Sequence, residues 1–195
     1  MTDPFGHADP ATLAVAARLD EGVLDLAQLW IEPMHREDDA VELVEAALRV
    51  EPGRPRAVLL SAYLALHYWM DDDHLDAAAA ALRDLLARGV ETGAAAMLLD
   101  EINRGRDGGY DLDLLRRSVA AEPGWSLNHV RLSRAYAARG DRAAAAAELD
   151  TAIANILDPD ERGDPVAHSF DALFTGRVNR RDRLVTERAE LGVPS

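Results

Sequence analysis

The chain has 195 residues, a net charge of −14, a pI near 4.7 and no cysteine. Its length is enough to bury a real core. The missing cysteine excludes disulfides, thiolate catalysis and thiolate-bound zinc, and an acidic body repels phosphate backbones and anionic lipid, which argues against nucleic-acid or membrane binding. All of the net negative charge lies in residues 1–160, since residues 161–195 carry six arginines and six acids. All 21 basic residues are arginine, the composition of a GC-rich bacterial source. No apolar run reaches the roughly 18 residues of a membrane helix. The first ten residues lack both a basic and an apolar segment, so no secretory signal is expected and the chain is read as cytoplasmic.

Apolar residues make up 48% of the chain, much of it alanine, while aromatics make up only 5%. Alanine is the strongest helix former and lets helices approach closely. Val, Ile and Thr never alternate with polar residues over a strand's length. The expectation is an all-α protein.

In chain order, residues 1–9 read as a tail and a first helix runs from Pro10 to about Leu19. Residues 20–32 carry Val23, Leu24, Leu26, Ala27, Trp30 and Ile31 at helical spacing, and Pro33 ends that helix. Asp38 or Asp39 is expected to cap the next, whose apolar stripe is Val41, Val44, Ala47 and Leu48. Glu51-Pro52-Gly53 stops it. A helix from Pro55 to Met70 follows, then a turn at Asp71–His74, then a helix from Leu75 to Arg88 with Gly89 as its C-cap. Thr92–Asn103 is helical, residues 104–110 form a glycine-rich loop, and Asp111–Ala121 is helical up to Glu122-Pro123-Gly124. Two further helices fill residues 122–153, joined by a tight turn at Arg139-Gly140-Asp141. Pro165–Arg177 and Arg181–Leu191 read as a terminal helix pair.

The punctuation recurs. GluProGly stands at 51–53 and 122–124, and AspProAsp at 158–160. Helix pairs returning at this spacing are the mark of a helical solenoid. The last pair resembles a tetratricopeptide repeat (TPR). Leu132 and Ser133 match that family's Leu-small pair, Tyr136 its aromatic position and Gly140-Asp141 its turn. Ala145 and Ala152 match small positions of the second helix, and Pro159 falls near the terminal proline. Ala40, Val44, Ala47 and Pro52 match in the first unit. The middle units are degenerate, with about three extra residues at Asp71–Asp73. The resemblance implies a right-handed superhelix of antiparallel helix pairs, a TPR-like α-solenoid with capping helices. Its units would be 21–54, 55–90, 91–124 and 125–159 within a repeat domain 10–160, with capping helices in 161–195.

The resemblance also implies peptide or protein binding on a concave face lined by first helices. Transferred position by position, that face holds Asp25, Leu29 and Glu32, then Arg56, Leu59, Tyr63 and Leu66, then Ala95 and Leu99, then Val130, Arg134 and Ala137. Arg56, Tyr63 and Arg134 are the expected anchors, because Arg and Tyr dominate interfaces, with an arginine reading a carboxylate on the partner. The carboxylate clamp of the family's co-chaperone members is missing. No catalytic motif and no cofactor are expected, and His129, on the first-helix face of the last unit, is read as packed or exposed rather than catalytic. Three alternatives carry weaker signals. The acidic body could mask a basic partner, as an inhibitor or immunity-type protein does. His67, Asp71 and His74, at i, i+4 and i+7, could hold a metal if one helix carried them, which would make the chain a metal-dependent enzyme. An open end of the array could join copies into a homo-oligomer.

Overall fold

The structure, a computed structural model, describes residues 36–156 and 181–193 together with Leu24, Leu26, Ala27 and Ile31. The first helix, the terminal helix at 165–177 and the AspProAsp turn fall outside these residues. Every regular element among the described residues is helical. The chain divides into two compact units, Met1–Leu85 and Leu86–Ser195.

In the first unit, Leu24, Ala27 and Ile31 are buried helical positions. Helix α1 spans Glu37–Val50 and buries Ala40, Leu43, Val44, Ala46 and Ala47. The expected caps are not at its start. Arg36 occupies the N-cap without a side-chain cap, and Asp38 and Asp39 lie in the first turn, where their charge complements the helix dipole. Arg36 Nε meets Asp39 at 2.6 Å. Helix α2, Pro55–Leu64, has proline at its first position and buries Ala57–Leu60, Ala62, Tyr63 and Leu64.

The chain departs from expectation after Leu64. Residues Ala65–Trp69 form a π-helical turn, closed by a bond from Met70 N–H to the Ala65 carbonyl. Met70 is left-handed at φ 52°. Asp71 then accepts the backbone N–H of His74 at 3.0 Å, so α3 begins at Asp72 and runs to Arg88. The AspAspAsp run is therefore a cap and a first helical turn. The physical reason is the same dipole rule that favours acids at helix starts. The extra residues of this unit are taken up by the wide turn and by one left-handed residue.

In the second unit, α4 spans Thr92–Asp107, α5 Leu112–Ala121, α6 Ser126–Ala138, α7 Arg142–Asn155 and α8 Arg181–Glu190. Helix α4 is four residues longer than its expected end at Asn103. Gly105 stays helical, and Gly108, at φ 73°, closes the helix by donating to the Arg104 carbonyl. Asp111 caps α5 through the N–H groups of Asp113 and Leu114. Helices α5 and α6 share a cluster of Leu112, Leu115, Leu132 and Ala135, flanked by Tyr110, Val119 and Tyr136. Val130, Leu149, Ala152 and Leu184 join α6, α7 and α8.

Repeated sequence gives repeated hydrogen bonds. At both GluProGly turns the glutamate N–H bonds back to the carbonyl four residues earlier, and its own carbonyl accepts from the residue three on, Arg54 in one and Trp125 in the other. The α6–α7 turn is tighter. Gly140 N–H bonds to the Ala137 carbonyl and Asp141 N–H to the Tyr136 carbonyl, a Schellman closure with Gly140 at φ 80°. Asp141 then accepts the Ala144 N–H at 3.1 Å and starts α7. Ser133 Oγ donates to the Ala145 carbonyl at 2.7 Å, tying the two helices beside the turn.

Two glycines differ in sign. A Cβ at either Gly105 or Gly140 would meet nothing within 4 Å, so only backbone preference separates them. Gly140→Ala is expected to cost about 1–2 kcal/mol, because φ 80° disfavours any L side chain. Gly105→Ala is expected to add about 0.5–1 kcal/mol as a better helix former. Urea unfolding of the two variants checks both.

Candidate interaction surfaces

The expected first-helix residues take two kinds of place. Leu59, Tyr63, Leu99 and Val130 are buried, as is Ala95, so their side chains fill the spaces between helices. The Tyr63 ring lies 4.5 Å from that of His67. Arg56, Leu66 and Arg134 are half-buried and Ala137 is exposed. Asp25, Leu29 and Glu32 lie outside the described residues. Arg56, Leu59 and Tyr63 belong to the first unit, while Leu99, Val130 and Arg134 belong to the second.

Arg134 has found its carboxylate inside the chain. Its Nε and Nη2 each lie 2.9 Å from an oxygen of Glu187 on α8, a planar two-point grip. That bond holds the Glu187 carboxyl below its usual range and raises the Arg134 guanidinium further. One helical turn away, Leu184 is fully buried among Val130, Leu149 and Ala152. Arg188 Nε reaches Asp150 on α7 at 2.9 Å. Arg134, expected with Arg56 as a reader of a partner's carboxylate, is paired here with Glu187, 53 residues away in the same chain.

The interior of this unit carries polar groups that hold its turns. His129 is buried, with Nδ1 2.6 Å from the Glu148 carboxylate and Nε2 2.8 Å from the Pro123 carbonyl. A carbonyl only accepts, so Nε2 carries a hydrogen. Asn155 donates to the same carbonyl at 2.9 Å, and Ser126 to that of Ala152 at 3.0 Å. His129 thus latches the GluProGly turn to α6 and α7. Ser118 Oγ donates to the Gly93 carbonyl at 2.8 Å, and Asn128 to the Ser118 carbonyl at 3.3 Å. A Cβ on Gly93 would collide with the Glu122 carboxylate, which lies against the first turn of α4. Asp100 is fully buried and accepts the Asp111 N–H at 2.7 Å. Burial raises its carboxyl above the usual value, opposed by that bond and by Arg131 and Arg104. Apart from His129, none of these polar residues stands out in the sequence; their pairing spans up to 32 positions and leaves no local pattern.

The corner between α2 and α3 is different in character. Tyr68 is 39% exposed and Met70 69%, the largest exposure among the big apolar side chains described. Tyr68 hydroxyl donates to Asp38 of α1, which raises the phenol above its ordinary range. Trp69 stacks on His74, rings 4.3 Å apart and 20° from parallel. His74 Nδ1 lies 2.6 Å from Asp71, whose carboxyl is held low chiefly by the His74 backbone N–H. His67 sits on the π-turn and turns to Tyr63, so the helix carrying it ends before Asp71 and His74. Among the described residues no group of three His, Asp or Glu is placed to hold a metal ion, and no helix is long and apolar enough to cross a membrane.

No family model matches the sequence, and no curated protein does. The structure is similar to two solved ones. One is a thermophilic TPR protein of Thermus thermophilus, 22% identical, with a TM-score of 0.58 over 88% of this chain and 97% of that one. The other is the MamA protein, 15% identical, with a TM-score of 0.52 over 93% of this chain and 92% of that one. At such identities the likeness is one of fold, and the fold is an all-α, TPR-like helical repeat.

Two pH effects of opposite sign follow. Glu187 has a lowered carboxyl, so its contribution is complete above the unfolded value near 4.5 and is lost as pH falls through the lower folded value. Amide protection factors over 181–190, referred to the intrinsic exchange rate at each pH, should fall in acid, and Arg134→Ala should bring the same fall at neutral pH. Asp100 has a raised carboxyl, so it costs stability increasingly as pH rises from 3.8 through the folded value. Asp100→Asn keeps an acceptor for Asp111 and removes the charge. The variant should melt above the wild type at pH 7, with the gap closing below pH 3.8.

Proposed function

We propose that the chain is a non-catalytic interaction scaffold that holds a protein or peptide segment against its helix pairs. The TPR-like fold supports this reading, since stacked helical pairs present extended surfaces on which partners lie. Its acidic, cysteine-free composition fits a cytoplasmic setting.

The observation that carries it is the α2–α3 corner. Scattered exposed apolar residues are ordinary. Here Tyr68 and Met70 stand out within three residues, beside a half-exposed Trp69, on a backbone held by a π-turn and a left-handed residue. Tyr, Trp and Met are the types that supply binding energy at interface centres. Asp38 bonds Tyr68, and the exposed Asp71, Asp72 and Asp73 follow Met70 directly, a negative charge that favours a partner segment setting basic residues around an apolar anchor.

Within the expected first-helix set, Arg56 and Arg134 keep part of their side chains at the surface, each on its own helix pair. They remain in the proposal as contact residues. Leu59, Tyr63, Leu99 and Val130 serve it by fixing the helices that carry those contacts.

The test is affinity capture from native lysate with wild type and with Tyr68→Ala/Met70→Ala. Both positions are exposed, so the double variant should melt close to the wild type. A specific partner should bind the variant at least about 30-fold more weakly, the effect of losing one interface hot spot. Equal retention by a folded variant would remove the corner from the reading.

A further inference from the structure

Helix α8 reaches the rest of the second unit along one stripe. Leu184, Glu187, Arg188 and Leu191 follow the i, i+3, i+4, i+7 rule of a single helix face. Leu184 enters the space between Val130, Leu149 and Ala152, and Leu191 packs at its edge. Glu187 takes Arg134, and Arg188 takes Asp150. Val185, beside the stripe, is 51% exposed. The receiving surface is therefore an apolar floor with a cation on one side and an anion on the other. It selects a helix by an aliphatic residue, a glutamate three positions on and an arginine four positions on.

The hold on α8 is small. Leu184 is the only buried residue of that helix, and the Arg134–Glu187 and Arg188–Asp150 pairs are part exposed. Twenty-four residues separate Ile156 from Arg181 along the chain. We propose that the face formed by Val130, Arg134, Leu149 and Asp150 is a docking site for an amphipathic helix of a partner protein, and that α8 occupies it in cis until that helix displaces it. This rests on the scaffold reading and is independent of the α2–α3 corner. The partner helix carries α8's pattern, because the floor and both charges are already arranged for it.

The probe is a fluorescent peptide of residues 181–193, added to the full chain and followed by anisotropy. Wild type should bind it weakly, because its own α8 is in place. Glu187→Ala loosens α8 and leaves Arg134 able to grip the peptide, so affinity should rise at least tenfold. Arg134→Ala loosens α8 equally but cannot read the peptide, and should show no such rise. A peptide with Glu187→Ala should bind neither. Circular dichroism confirms folding, and Glu187→Gln replaces the alanine variant if that one does not fold. As a further check, Arg134→Glu should bind a peptide carrying Glu187→Arg.

Equal peptide affinity of the Glu187 and Arg134 variants would overturn the proposal, because the pair would then be purely structural. So would the absence of binding to every folded variant. A wild-type dimer by light scattering that the peptide dissolves would also overturn it, by making a second copy the occupant. Loss or survival of capture in Tyr68→Ala/Met70→Ala leaves each of these outcomes unchanged.

Discussion

Two antiparallel helices on a short turn leave one apolar face uncovered, and the rest of this structure is concerned with covering it. Alanine sets the terms. Small side chains at Ala135, Ala145, Ala146 and Ala152 let helices come close, and the turns that join them are short. The turns must then satisfy the backbone with few residues. Asp141 closes α6 through its N–H and opens α7 through its carboxylate, and Ser133 bonds across the gap beside it. Each face covered in this way presents another. Leu132 and Ala135 of α6 pack on α5, Val130 packs towards α7, and α8 covers what is left with Leu184.

Much of this is legible in the sequence because it is local. GluProGly, ArgGlyAsp and Gly89 announce turns by chemistry confined to three or four residues. What is not legible depends on competition between neighbours. Asp71–Asp73 looks like a break, yet one aspartate caps and the other two extend the helix it starts. Gly105 looks like loop, yet the Gly108 closure lies beyond it and α4 passes through. The π-turn at 65–69 has no sequence signature, since its apolar residues suit an ordinary helix equally well.

The proposed interaction surface is legible in part. A helix in a stack has two flanks, and apolar spacing does not say which one is bare. Leu59, Tyr63, Leu99 and Val130 read as an open face and lie between helices instead. Arg134 stands out for its chemistry, and chemistry is what it displays, but towards a carboxylate 53 residues downstream. Tyr68 and Met70 look like the end of an amphipathic helix. Their exposure, on and just after the π-turn, is seen only in the structure.

The position of α8 along the chain has a consequence during synthesis. Helices α6 and α7 pair through contacts only 12 residues apart in the case of Ser133 and Ala145, and such local pairing is fast. The helix that covers their outer face ends 34 residues after Ile156. At about 5–20 residues per second, translation completes α8 roughly 2–7 s after α7. A ligand of the proposed docking face would therefore meet it at the ribosome before α8 exists, and slow release alone would keep it there afterwards.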